Sequence, residues 1–167
     1  MIMPEDRTES QGEVREIELP RFGTCSYRNE ELLHFAWGLP GFTHLRRFLA
    51  LSLAGQERFV WLQSLDDTAI ALPTTNPYDI FADYDPKFPV SALGSLGIAR
   101  ADDFVVMCVC IVAKDAAEMS CNLLAPIVIN LRERTGRQIT LEGSSYSVKV
   151  PIPRKPVGSP APSEAPV

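Results

Sequence analysis

The chain has 167 residues, a formal net charge of −5 and a sequence pI near 5.1. This length predicts one domain, large enough to bury about 70% of its unfolded surface in a core. The 46% of hydrophobic residues excludes a disordered chain. The acidic balance disfavours direct binding to nucleic acid, which depends on Lys and Arg that neutralise phosphates.

Neither a membrane segment nor a secretory signal is expected from the sequence. No stretch approaches the roughly 20 apolar residues that a membrane helix needs. The first residues, Met1-Ile-Met-Pro-Glu-Asp-Arg7, lack a basic region followed by an apolar one. We therefore expect a cytoplasmic protein that does not bind membranes.

The two ends differ in composition from the middle. Residues 1–13 are polar and acidic, and residues 151–167 contain six prolines. Proline has no N–H for a helix or a sheet ladder. We predict a flexible acidic segment over 1–13, a folded domain over 14–152 and a disordered Pro-rich tail over 153–167.

The middle of the chain reads as many short strands separated by turn residues. The predicted strands are Val14–Leu19, Cys25–Tyr27, Leu32–Phe35, Phe48–Leu53, Phe59–Leu65, Ala69–Thr75, Phe104–Ala113, Met119–Leu124, Ile127–Ile129, Gln138–Leu141 and Tyr146–Val150. The ten apolar residues of Phe104–Ala113 indicate a central strand, and Asp66-Asp67-Thr68 suits a hairpin turn.

Helix is sparse in the sequence. Asn76-Pro77 is typical of a helix start, with Asn as cap and Pro at the first position, and a second helix is predicted over about 90–96. Short strands at turn spacings of roughly 8–12 residues indicate an antiparallel barrel or sandwich. We therefore predict a mainly β fold: a small antiparallel β-barrel-like single domain with one or two short helices.

The sequence motifs provide no complete set of catalytic residues. His34 and His44 are the only histidines, and neither lies near a Ser or Cys motif. The carboxylate pairs Asp66-Asp67 and Asp102-Asp103 suit turns and strand boundaries, since adjacent strand residues point to opposite faces. We predict that the chain is not an enzyme and has no cofactor.

The four cysteines are predicted to be structural. They are Cys25, Cys108, Cys110 and Cys121. Cys108 and Cys110 are two residues apart, so on a strand they point the same way. A single C-x-C lacks the spacing of a zinc site, and free Cys is often a small buried hydrophobe. A metal or redox role is the alternative.

Some aromatic residues are predicted to lie in the core and others on an exposed rim. Phe59 and Trp61 fit the core of the β domain. Tyr78, Phe81 and Tyr84 are interspersed with Asp residues, which favours an exposed rim.

Several short sequence motifs, called words below, occur in a specific order along the chain. They are Gly38-Leu-Pro-Gly-Phe42, Phe59-Val-Trp-Leu-Gln-Ser-Leu-Asp-Asp67, Asn76-Pro77, Asp83-Tyr84, Asn122-Leu-Leu-Ala-Pro-Ile127, Gly136-Arg-Gln-Ile139, Tyr146 and Pro151-Ile152. Over about Val14 to Ile152, this series resembles the FliW family of bacterial flagellar assembly factors.

The resemblance implies a β-barrel-like protein without cofactor or enzymatic activity. It implies binding of flagellin in the cytoplasm. It also implies that the chain, once flagellin has been secreted, captures the translational regulator CsrA. CsrA would be inhibited away from its RNA-binding surface, and repression of flagellin translation would be lifted.

The chain departs from the family pattern at three places. Phe35-Ala-Trp37-Gly38 stands where Pro-Glu-Gly is frequent before Leu-Pro-Gly-Phe, and Thr68 stands where Pro is usual after the double Asp. Pro73 interrupts the next strand, and because it has no N–H we expect this strand to be an edge strand or to end early.

A basic partner such as CsrA would fit an acidic face of this protein. Charges at an interface raise specificity and association rate. We predict that partner binding involves turn residues beside the family words, with the two asparagines ordering loops. The predicted site residues are Asp66, Asp67, Asn76, Asp79, Asp83, Tyr84 and Asn122. Gly41 and Phe42 are predicted to be structural, as a turn residue and a barrel plug.

Two other functions compete with this interpretation. A flavin-type small-barrel enzyme would need basic or hydroxyl side chains around a phosphate, and here basic residues are scattered. A nucleic-acid-binding barrel would need a basic groove with stacking aromatics, which the acidic balance disfavours.

Overall fold

The computed structural model describes residues 12–153, apart from the side chain of Asp102. Its strands are β1 (Val14–Leu19), β2 (Gly23–Arg28), β3 (Leu33–His34), β4 (Arg47–Leu51), β5 (Val60–Ser64), β6 (Ala71–Thr75), β7 (Phe104–Ile111), β8 (Ser120–Cys121), β9 (Ile127–Asn130), β10 (Thr135–Gln138) and β11 (Val150–Pro151). The α-helix is α1 (Val90–Ser95). Short 3₁₀ turns are Asn29–Glu31, Pro77–Asp79, Ala101–Asp103 and Ala116–Glu118.

Strand pairing closes seven of these strands into a barrel. The order is β7-β6-β5-β4-β3-β10-β9, and β9 pairs back onto β7. All pairs are antiparallel except β3 with β10. The predicted mainly β, barrel-like fold with little helix is confirmed. The segments predicted to be flexible at the two ends lie almost wholly outside the described residues, and the domain limits remain predictions.

β7 is the strand that closes the barrel. Residues 104–107 pair with β9, residues 108–109 with β6 and residues 110–111 with β8. The apolar run that predicted a central strand fits this position, because β7 pairs with three different strands and packs its inward residues into the core. Cys108 and Cys110 both point inward and are buried.

β1 and β2 form a separate two-stranded hairpin whose turn covers Trp61. The ring of Phe22 meets the Trp61 ring edge-on at 6.5 Å, and the Arg21 guanidinium lies 4.2 Å above its centroid. Trp61 is consequently only 5% exposed. The prediction that Trp61 belongs to the core is confirmed.

The barrel interior is filled around a pair of phenylalanines. Phe35 and Phe48 are fully buried and their rings meet edge-on at 5.1 Å. Phe42 packs against this cluster from a tight turn that uses Gly41 at a φ of 84°. The predicted structural roles of Gly41 and Phe42 are confirmed.

Local sequence signals located some elements and missed others. β1, α1 and the 3₁₀ turn after Asn76 lie where they were predicted. The strands predicted over 138–141 and 146–150 are wrong: the pairing segments are β10 and β11. Ile139 and Leu141 are buried beyond the end of β10. Their N–H groups donate to the carbonyls of Pro126 and Leu124, which continues the β10–β9 register without a regular strand.

The expected edge strand around Pro73 is an interior strand. β6 pairs with β5 along 71–74 and with β7 only at Thr74 and Thr75. The prediction that this strand lies at an edge or ends early is therefore wrong, since it continues past Pro73 to Thr75. The ladder to β7 begins just after Pro73, which agrees with the missing N–H of proline.

We predict that Gly136→Ala destabilises the protein. A Cβ at this position would lie 2.6 Å from Cε1 of Phe35, against the packed rings of the barrel. Overpacking of this kind costs about 1–3 kcal/mol. Urea denaturation should show this loss in the free energy of unfolding.

Gly94→Ala in α1 is the matched control. A Cβ there meets no atom within 4 Å, and Ala is favoured over Gly in a helix by up to about 1 kcal/mol. The same substitution should therefore raise stability in α1 and lower it in β10. Equal effects at both positions would contradict the packing argument.

Candidate partner-binding site

Asp66 is a structural clamp at the end of β5. Its carboxylate accepts hydrogen bonds from the backbone N–H of Arg46 at 2.7 Å and of Arg47 at 2.8 Å. The Arg47 Nε also donates to it at 2.8 Å. These bonds hold the start of β4 against the end of β5, so the carboxylate is already engaged within the chain.

These contacts change the titration of Asp66. Partial burial raises the pKa, but the two backbone N–H donors and the Arg47 guanidinium outweigh it, so the pKa of Asp66 lies below its ordinary value. Asp66 is therefore a carboxylate at neutral pH, and its charge is offset by Arg47.

The remaining polar residues of the Trp61–Asp67 word shape the β5–β6 turn. Gln63 is fully buried, and its Nε2 donates to the carbonyls of Ser64, Thr68 and Ile70. The Ser64 hydroxyl accepts the N–H groups of Asp66 and Asp67. The predicted hairpin at this position is confirmed.

Asp67 differs from Asp66 because its carboxylate bonds within its own turn and not to β4. Its carboxylate accepts the N–H of Ala69 at 3.1 Å, which closes a local turn. The residue as a whole faces solvent. It is available for a contact at this end of the barrel.

Four other predicted site residues lie beyond the opposite end of β6, in the segment 76–85, which we call the acidic loop: Asn76, Asp79, Asp83 and Tyr84. The side chain of Asn76 accepts the N–H of Tyr78 at 3.0 Å and caps the 3₁₀ turn. Asp79 and Asp83 are exposed. The predicted loop-ordering role of Asn76 agrees with this geometry.

Tyr84 is the anchor of the acidic loop. It is only 5% exposed, and its hydroxyl donates to the carbonyl of Leu123 at 2.9 Å. The expectation that Tyr84 lies on an exposed rim is wrong, because the phenol finds a buried acceptor. Tyr78 is 47% exposed and Phe81 is half-buried, so only part of the predicted rim faces solvent.

Asn122 lies next to this anchor. Its side chain accepts the N–H of Ala125 at 3.0 Å and shapes the loop that carries Leu123. Tyr146 supports the same place: its ring packs on Tyr84 at 4.8 Å, and its hydroxyl accepts the N–H of Asp85 at 2.8 Å. Asn122 therefore belongs with the acidic loop.

The predicted residues thus form two groups and not one patch. Asp66 and Asp67 are at one end of β6, and Asn76, Asp79, Asp83, Tyr84 and Asn122 are at the other. A strand rises about 3.3 Å per residue, so the five residues of β6 separate the groups by roughly 15 Å.

A cavity beside the acidic loop escaped the sequence reasoning. It has a volume of about 850 Å³, and its lining includes Glu57, Asp79, Ile80, Val112 and Met119. The sequence signalled only a turn at 54–57, because the cavity forms from segments that are far apart in the chain. Here acidic side chains lie beside apolar surface.

A second, smaller cavity adjoins Trp37, one of the departures from the family pattern. It measures about 240 Å³ and is lined mainly by apolar atoms, with Phe35 and Gly136 among its residues. Trp37 is 52% exposed, and the Arg137 guanidinium lies 4.7 Å from its ring centroid. The sequence reasoning did not assign this surface a role.

Among residues 12–153, no cluster of three or more His, Cys, Asp or Glu side chains is arranged to hold a metal ion. No helix in the same range is long and apolar enough to cross a membrane.

We predict that Asp66→Ala lowers the free energy of unfolding by about 1 kcal/mol, because the N–H groups of Arg46 and Arg47 lose their acceptor. The pKa of Asp66 is depressed from an ordinary value of 3.8. Its contribution is therefore complete above that pH and is lost as the pH falls through the folded-state pKa. Urea denaturation of wild type and variant should show a difference at pH 7 that shrinks below pH 3.8.

Asp67→Ala is the control for this experiment. Asp67 accepts a single hydrogen bond from its own turn, so its removal should cost less than that of Asp66. An equal loss in both variants, or a difference that does not change with pH, would contradict the clamp.

We also predict that Tyr84→Phe destabilises the protein by about 1 kcal/mol, since the buried hydrogen bond to Leu123 is lost while the ring is kept. Tyr27→Phe on β2 is the control, because no hydrogen bond of its hydroxyl occurs in the described part of the chain. Hydrogen exchange should locate the loss in the acidic loop. Unchanged exchange there would contradict the anchor.

Comparison with known proteins identifies the family. Residues 16–152 match the family model described as FliW protein. A flagellar assembly factor FliW of Clostridium tetani is 36% identical over 130 residues, covering 78% of this chain and 90% of the relative. One of Pseudothermotoga lettingae is 38% identical over 130 residues, covering 77% and 83%.

A solved structure agrees with these relatives. The crystal structure of a flagellar assembly factor FliW matches with a TM-score of 0.79 and 27% identity, covering 86% of this chain and all 100% of that one. The flavin-type alternative finds no support among these proteins. The order of the sequence words, the barrel and these matches agree that the chain belongs to the FliW family.

Proposed function

We propose that this chain is a cytoplasmic flagellar assembly factor that binds flagellin and, when free of it, binds and inhibits CsrA. Inhibition away from the RNA-binding surface of CsrA would relieve repression of flagellin translation. The protein would act by binding alone, without catalysis or cofactor. Family membership supports the role in flagellar assembly. The two partners, flagellin and CsrA, are those that the resemblance to the family implies.

The observation that supports a binding surface most strongly is the pairing of acidic and apolar groups at the acidic loop. Asp79 and Asp83 are exposed, and neither belongs to an ion pair within residues 12–153. The adjacent cavity offers Ile80, Val112 and Met119. Tight interfaces combine desolvated apolar anchors with charges that select the partner.

The predicted site residues divide into contacts and supports under this proposal. Asp79 and Asp83 contact the basic partner at the acidic loop, and Asp67 provides a separate contact at the β5–β6 turn. The loops that contact the partner are positioned by Tyr84, Asn76 and Asn122. The start of β4 is positioned by Asp66.

We predict that Asp79→Lys combined with Asp83→Lys weakens CsrA binding about tenfold at low salt. Exposed ion pairs contribute about 0–1 kcal/mol each, and reversal also slows electrostatically steered association. Surface plasmon resonance at two salt concentrations should show the loss mainly in the association rate, reduced at high salt.

Glu13→Lys combined with Glu16→Lys is the matched control. It changes the net charge by the same amount on β1 and the residue before it, where both side chains are exposed. This variant should retain most of the affinity. Equal losses in both variants would show that only net charge matters and would contradict the assignment of the acidic loop.

A pull-down with this chain as bait tests the partner-switching proposal itself. Flagellin and CsrA should each co-purify when expressed alone with the bait, and added flagellin should release bound CsrA. Recovery of neither protein, with both expressed, would refute the proposal.

A further inference from the structure

Cys110 and Cys121 face each other across the β7–β8 pair. They are direct partners in the antiparallel register. The N–H of Asn122 donates to the carbonyl of Val109 at 2.9 Å, so the ladder bonds flank the cysteines instead of joining them. In such non-hydrogen-bonded pairs the Cα atoms are about 4.5 Å apart and the side chains are closest.

The sulfur atoms are already in contact. Cys110 Sγ and Cys121 Sγ are 3.3 Å apart, both side chains are buried, and both thiols are free. A disulfide needs about 2.05 Å between sulfurs and accepts Cα separations of 4.4–6.8 Å. β8 and β11 have two residues each, so the sulfurs can approach by a small shift of this short outer pair.

We propose that Cys110 and Cys121 form a reversible dithiol–disulfide site, oxidised by a peroxide and reduced by a small thiol. This goes beyond the proposed function, which assigns no chemistry to the cysteines. The two side chains occur on opposed strands, which the sequence separation of eleven residues does not reveal.

Local electrostatics distinguish the two sulfurs. The hydrogen bond between the thiols lowers the pKa of Cys121, burial opposes it, and the nearby Arg58 lowers it further. The same bond, with burial, raises the pKa of Cys110. Since the thiolate is the nucleophile, Cys121 is the attacking sulfur and Cys110 the resolving one.

Cys108 is the competing thiol and is poorly placed. It lies two residues from Cys110 on β7, where its register partner is Thr75 on β6. Burial raises its pKa to about 12, so it remains a thiol. Cys108 is therefore a control for the selectivity of the site.

The chemistry balances with one peroxide per disulfide. The Cys121 thiolate attacks one peroxide oxygen, the O–O bond breaks, and the departing hydroxide takes a proton to become water. The Cys110 sulfur, losing its proton, then attacks the sulfenic sulfur of Cys121. The S–S bond forms, the S–O bond breaks, and a second water leaves. Two electrons pass from the thiols to the peroxide. Reduction takes two small thiols: the first attacks one protein sulfur and breaks the S–S bond, and the second attacks the sulfur of the bound small thiol, releasing the protein thiol and a small-molecule disulfide.

The 850 Å³ cavity borders the core cluster that contains the pair. Arg58, Phe59 and Met119 line it. Phe59 belongs to the same core cluster as Cys110 and Cys121, and Met119 packs against that cluster. A peroxide would reach the buried pair from this side, through movement of these side chains.

Tryptic mapping of the full chain tests the site directly. Lys114 separates the cysteines, so Cys108 and Cys110 fall in peptide 101–114 and Cys121 in peptide 115–132. The folded chain is treated with hydrogen peroxide, alkylated and digested without reduction. We expect the two peptides joined, two hydrogen masses lighter than their sum, and separated again by dithiothreitol.

Two variants assign the link. Cys108→Ala should keep it, and in this variant a link between the two peptides can only be Cys110–Cys121. Cys110→Ala should abolish it. Loss of the link in Cys108→Ala, or oxidation of Cys25 and Cys121 to acids without a link, would overturn the proposal. The mapping uses neither flagellin nor CsrA, so its outcome is independent of the proposed function.

Discussion

Closure of the barrel through β7 is the constraint on which the other features depend. One strand pairs with β9, then β6, then β8 as it advances. Its inward side chains pack in the core beside each of these neighbours. This packing accounts for the apolar sequence of β7. The pairing with β6 fixes where the acidic loop leaves the barrel. The pairing with β8 fixes the position of Leu123, whose carbonyl accepts the hydroxyl of Tyr84 in that loop.

Elements with their own local signals could be predicted from the sequence, whereas elements created by their partners could not. The imperfect alternation in β1 and the Asn76-Pro77 cap act within a few residues, and both were located. β10 is a polar Thr-Gly-Arg-Gln segment that becomes a strand only because β9 and β3 flank it and Gly136 admits Phe35. Its tertiary setting outweighs its weak strand propensity.

The same distinction explains the candidate site. The word ending in Asp66-Asp67 identifies the family, yet Gln63, Ser64 and Asp66 direct their polar groups into the turn and onto β4. The polar residues of this motif are therefore needed for the fold, and the motif alone does not identify a contact with a partner. Tyr84 was misjudged for the reverse reason: neighbouring aspartates indicate exposure, but the carbonyl that buries its hydroxyl comes from a loop 39 residues away.

Three consecutive residues that begin in β8 connect the thiol pair to the acidic loop. Cys121 opposes Cys110, Asn122 donates its N–H to Val109 and shapes the following loop, and Leu123 accepts the hydroxyl of Tyr84. A shift of β8 that brings the sulfurs together must therefore move, or be resisted by, the acceptor that anchors the loop. Because packed interiors transmit strain, closure of an S–S bond would load the segment whose Leu123 carbonyl accepts the hydroxyl of Tyr84.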